Sequence, residues 1–150
     1  MARRTITLVT AVGLAVGLAF GALAAATVAG KPLSEQQWRK TTNNICVQSD
    51  TLLAEAQDTA FAAVPQDGQP SIEQMAAYAT AAEPILQQRI DSIDALKEPK
   101  KLQAKVKKML KTAQRELDAF VADPNRGFEG NPFTDTILAA DKLKLKDCGS

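Results

Sequence analysis

Residues 100–122 read KKLQAKVKKMLKTAQRELDAFVA. Leu102, Val106, Met109, Leu110, Ala113, Leu117, Phe120 and Val121 recur at steps of three and four. At roughly 100° per residue they fall within an arc of about 120°, the signature of an amphipathic helix. A helix with one apolar stripe needs partners that bury it, and the chain on either side supplies three more candidates.

Upstream, Ser34-Glu35-Gln36-Gln37 is a capping box, in which the serine accepts from the third helical amide and Gln37 reaches back. Behind it Trp38, Thr42, Ile45, Ser49, Leu52, Ala56 and Ala63 share one face, until Pro65-Gln66-Asp67-Gly68-Gln69-Pro70 breaks the pattern. A second box, Ser71-Ile72-Glu73-Gln74, opens a stripe of Ile72, Met75, Ala79, Ala82, Leu86, Ile93 and Leu96. Pro84 lies inside it and predicts a kink or a restart. Glu98-Pro99 ends that element. Downstream, Asp123 to Gly130 is a loop, and Asn131-Pro132 reads as an N-cap with proline at the first helical position. Phe133, Ile137, Ala140 and Lys144 then share one face of a short last helix, with Leu143 beside it. The expected fold is all-α: an antiparallel four-helix bundle in up-down-up-down order over residues 30–150.

Residues 1–29 differ in composition. MARR gives a positive start, Thr5 to Ala29 carries no charge, and Ala24-Ala25-Ala26 or Thr27-Val28-Ala29 supplies small residues suited to cleavage. The segment reads as a signal peptide or, uncleaved, as an apolar helix anchoring the chain in the membrane through residues 5–29. Gly13, Gly17 and Gly21 form a doubled GxxxG, a spacing that also suits membrane-helix association. Arg3-Arg4 fits an ordinary basic start better than a twin-arginine signal. The expected location is extracytoplasmic: secreted, or held at the cytoplasmic membrane with the C-terminal domain outside.

An exported chain with two cysteines most simply pairs them, here Cys46 with Cys148. The antiparallel order supports the pairing. Eighteen residues separate Cys46 from Val64 at the top of the first helix, and seventeen separate Asn131, at the same level, from Cys148. At about 1.5 Å per residue both thiols lie about 26 Å down.

The sequence contains no histidine, which removes histidine-based triads, imidazole zinc sites and histidine-ligated haem. Paired cysteines offer no nucleophile, and no serine sits in a GxSxG setting. Asp91 with Asp94 and Glu55 with Asp58 are spaced as solvated helix-face pairs, and Glu83 borders the apolar stripe. Only carboxylate chemistry around Glu83 or Asp94 would make an enzyme of this chain, so a noncatalytic module without cofactor or metal is expected.

The main polar feature is Lys97, Lys100, Lys101, Lys105, Lys107, Lys108, Lys111 and Arg115, eight cations against Glu98 over nineteen residues. Such a stripe attracts anionic lipid or wall polymer, and a solvated face balanced by the rest of the domain has the same pattern. Nucleic acid is not expected, because no aromatic residues interleave with the lysines. Trp38 is expected where only three helices pack, capping the core or lining an apolar groove for a small ligand or another envelope protein.

Asn43-Asn44-Ile45-Cys46, Pro84-Ile85-Leu86, Leu96 before Pro99 and the closing Leu145-Lys146-Asp147-Cys148-Gly149 together resemble a family of small exported or membrane-anchored helical proteins, mostly actinobacterial, with an early-helix cysteine and a terminal Cys-Gly. Many members have glycine before the final leucine, where this chain has Lys144. The resemblance implies paired cysteines and an envelope location, and carries over no catalytic residues.

Overall fold

A computed structural model describes residues 31–65 and 67–149. The expected signal or anchor segment, with its glycine series, lies outside the described residues. Among the described residues there is no strand, and no helix is long and apolar enough to cross a membrane.

Both capping boxes form. Ser34 caps α1 (Glu35–Ala60) and Ser71 caps α2 (Ile72–Asp94), each accepting from the third helical amide. α1 stops short of Ala63, and Phe61 at its C-cap meets Tyr78 of α2 at 5.5 Å between centroids. α2 runs unbroken through Pro84, so the restart expected there does not occur. Pro84 is exposed, so the backbone bond it forgoes is lost on the solvent side. α3 (Gln103–Ala122) buries Val106, Met109, Leu110, Ala113, Leu117 and Phe120, as its periodicity requires. A single turn, α4 (Arg126–Glu129), ends at Gly130, whose φ of 144° favours glycine.

The last helix departs from expectation. α5 (Thr134–Lys142) has nine residues rather than a run to Cys148. Its N-cap is Phe133 rather than Asn131, whose Oδ1 accepts from the Phe133 amide at 2.9 Å in the turn just ahead of the helix. Its end is a Schellman turn: the Lys144 amide donates to the Asp141 carbonyl at 2.8 Å and the Leu145 amide to Ala140 at 3.0 Å. Lys144 takes the left-handed conformation, φ 59°, that this turn requires. The chain then reverses, and a 3-10 turn (Lys146–Cys148) brings Cys148 to Cys46. The predicted disulfide is therefore present, with a Cα–Cα distance of 5.1 Å, although the continuous helix assumed in the counting is not.

Consecutive helices meet with opposite running numbers. The Leu33 amide donates to Lys97, Arg89 reaches Cys46 and Asp50, and Phe61 meets Tyr78. Gln114 bonds Gln87 and Phe120 meets Tyr78, while Phe133 packs on Phe120. The main core joins Trp38, Cys46, Ile93, Leu102, Val106, Met109, Leu110, Ala140, Leu143 and Leu145. Toward the other end the core divides into two smaller clusters, around Met75, Ala79 and Phe120 and around Ala82, Leu86 and Leu117.

Lys144 is exposed, so its side chain has no packing to lose. Replacing it with glycine removes the left-handed strain, at some cost in unfolded-state entropy. Lys144→Gly should stabilise the protein by about 0.5–1 kcal/mol. Urea unfolding should show a higher midpoint with an unchanged slope.

Candidate functional site

A cleft of about 450 Å³ opens between the helices where the core divides. It is lined by Asp50, Leu53, Gln57 and Phe61 on the α1 side, and by Met75, Tyr78, Leu86, Arg89 and Ile90 of α2. Ala113, Leu117 and Phe120 of α3 line it too, with Gly127, Asn131, Pro132, Phe133, Thr136 and Ile137 from the α4–α5 side and Cys148 at the chain end. Exposed Gln57 and Asn131 stand on its rim, on the α1 and α5 sides. The volume falls in the range of about 300–1,000 Å³ typical of small-molecule pockets, and apolar walls with a few polar groups are their usual chemistry.

Several of these placements depend on tertiary contacts. Glu116 of α3 caps α5: its carboxylate accepts from the Asp135 and Thr136 amides at 3.1 and 3.0 Å and from the Thr136 hydroxyl at 2.6 Å. Negative charge at a helix N-terminus is favourable there. This contact holds the start of α5 against α3 and sets the Phe133–Thr136 wall. Opposite, Arg89 forms an ion pair with Asp50, and its Nη2 also donates to the Cys46 carbonyl at 3.2 Å. Tyr78 stands between the aromatic wall and this pair, and burial pushes its phenol above the ordinary range.

The basic stripe lies elsewhere. Lys97, Lys100, Lys101, Lys105, Lys107, Lys108, Lys111 and Arg115 are all exposed, from the end of α2 along the outer face of α3. Lys101 pairs with Glu35 at the start of α1, and Arg115 pairs with Asp135 at 3.0 Å. The stripe is thus partly used to tie helices together.

Trp38 is fully buried in the main core. The sequence leaves Trp38 where only three helices pack, either capping the core or lining a groove. Instead Leu143 and Leu145 join the same cluster as Trp38, and Arg39 Nε donates to the Leu143 carbonyl at 2.7 Å. The cleft lies away from it, and Trp38 is not among the lining residues. Glu83, Asp91, Asp94, Glu55 and Asp58 are exposed, and Asp91 accepts from Gln87 at 2.9 Å. Among the described residues no cluster of three or more acidic or cysteine side chains suits a metal ion.

Sequence reasoning did not find the cleft, because its lining comes from every major helix and from the loop before α5. The hint available was Asp50 and Arg89, charged residues beside two apolar stripes. Comparison with protein-family models, curated proteins and solved structures finds no match to this chain.

The Lys101 hydrogen bond, with help from Arg39 and against desolvation, holds the Glu35 carboxyl below its ordinary value of 4.5. A lowered folded-state pKa contributes stability that is present above the unfolded value and lost as pH falls through the folded one. The gap in Tm between wild type and Glu35→Gln should therefore be open at neutral pH and close as acid is added below about pH 4.5. Thermal unfolding across that range measures it.

Proposed function

We propose that this chain is an exported, noncatalytic binding protein of the cell envelope that holds a small, largely apolar ligand between its helices. In this reading residues 1–29 are a signal peptide or membrane anchor, and residues 30–150 form an up-down-up-down four-helix bundle outside the cytoplasmic membrane. The observation that carries it is the 450 Å³ cleft walled by Leu53, Phe61, Leu117, Phe120 and Phe133. A soluble fold gains by keeping such surface from water, and a bound apolar molecule would cover it. The uncharged leader and the cysteine pair support export. The absence of histidine from the sequence and the exposed, scattered carboxylates favour binding over catalysis.

Native mass spectrometry of protein purified from its own host tests this. The folded chain should carry a small molecule that dissociates on denaturation, and a native mass equal to the bare chain would count against the carrier reading. Intact mass of the denatured chain reports leader removal and the disulfide in the same run.

A second reading gives the domain contact with anionic lipid or wall polymer through its basic face. It is favoured by Lys100, Lys105, Lys107, Lys108 and Lys111, which remain exposed while Lys101 and Arg115 engage carboxylates. Each lysine near an anionic surface contributes about 1 kcal/mol, screened by salt. Vesicles of anionic phospholipid should sediment the protein at low salt and release it at high salt. Joint neutralisation of Lys105, Lys108 and Lys111, which leaves the Lys101–Glu35 pair intact, should abolish most of that binding.

A further inference from the structure

The cleft is polarised along its length. Phe61, Tyr78, Phe120 and Phe133 form a chain of ring contacts at one end, with centroids 5.5, 6.3 and 5.9 Å apart. Asp50 and Arg89 lie toward the disulfide, where Arg89 also reaches the Cys46 carbonyl. Along α1, Asp50 and Phe61 are separated by about 16 Å at the helical rise.

Accepting the cleft as a ligand site, we infer that its occupant is an uncharged amphiphile: an apolar chain against the aromatic end, and a neutral hydroxyl or amide head hydrogen-bonded to the Asp50–Arg89 pair. Among the described residues lining the cleft these two are the only charged side chains, and their charges cancel. A carboxylate head would lie beside Asp50, and an ammonium head beside Arg89. Either would leave water without a net opposite charge to receive it, and burying a charge on those terms is unfavourable. A hydroxyl head both accepts from a guanidinium and donates to a carboxylate, so it uses the pair as it stands.

The pair retains donor capacity. Arg89 Nη2 serves both Asp50 and the Cys46 carbonyl, while its buried Nε has no hydrogen-bond partner among the described residues. Tyr78 adds a hydroxyl rather than a third charge, since a phenol is neutral at pH 7 and burial raises its pKa further.

The test compares decanol, decanoate and decylamine, three probes with the same chain, by calorimetric titration into the full protein with its disulfide intact. At neutral pH decanol should bind at least about tenfold tighter than either charged probe. Asp50→Asn leaves the guanidinium uncompensated and should move the preference toward decanoate by about tenfold. The inference is overturned if decanoate or decylamine equals decanol on the wild type. It is also overturned if a folded Asp50→Asn variant, judged by circular dichroism and thermal unfolding, keeps the wild-type ratio of decanoate to decanol affinity. Should that variant not fold, the wild-type order decides alone. Equal binding of all three probes removes the neutral head and leaves the ligand site, whereas binding of none removes both.

Discussion

The Cys46–Cys148 disulfide closes a ring that helix packing leaves open. α1 packs on α2, α2 on α3 and α3 on α5, and the terminal 3-10 turn packs back on α1. α5 has nine residues, below the length at which a helix holds itself together in water, so its stability comes from docking. The bridge spans 102 residues of sequence. In the chain-entropy picture, closing a loop of about 100 residues is worth about 4–5 kcal/mol, against a typical total stability of about 5–15 kcal/mol. Noncovalent contacts at the same place, the burial of Leu143 and Leu145 and the Arg39–Leu143 hydrogen bond, share the task.

Closing the ring at one end has a consequence at the other. Near the disulfide the core is a single cluster that encloses Trp38, because α1, α2, α3 and the folded-back chain end all contribute to it. Farther along, α5 has already ended on its N-terminal side, and α4 and the loop before α5 take its place beside α3. These segments are too short to present a full apolar stripe. The side chains of α2 and α3 consequently form two small clusters rather than one, and the cleft lies among them.

What the sequence disclosed follows this division. Capping boxes at Ser34 and Ser71 and the stripe of α3 are local signals, set within a few residues, and they form as their spacing demands. The cysteine pairing was also legible, since two cysteines in such a chain leave one intramolecular choice. The Schellman turn was not, because lysine is a poor sign of a left-handed residue; glycine at 144 would have announced it. Nor was the Glu116 cap, which joins residues about twenty apart, or the Arg89 bridge to α1 across 43 residues. Both belong to the site, which is why the site was harder to read than the fold.

The disulfide and the cleft are also connected chemically. Cys148 lines the cleft, and the Cys46 carbonyl accepts from the guanidinium that pairs with Asp50. One turn of α1 therefore carries both the covalent bond to the chain end and two acceptors for Arg89. Holding that turn fixes the charged pair relative to the apolar walls. Under the proposed carrier function, a site prepared in this way would lose less entropy on binding and discriminate more sharply between heads of different charge. A side chain as long as arginine would otherwise sample many positions. The terminal cysteine thus sets the polar end of the cleft as well as the last turn of the chain.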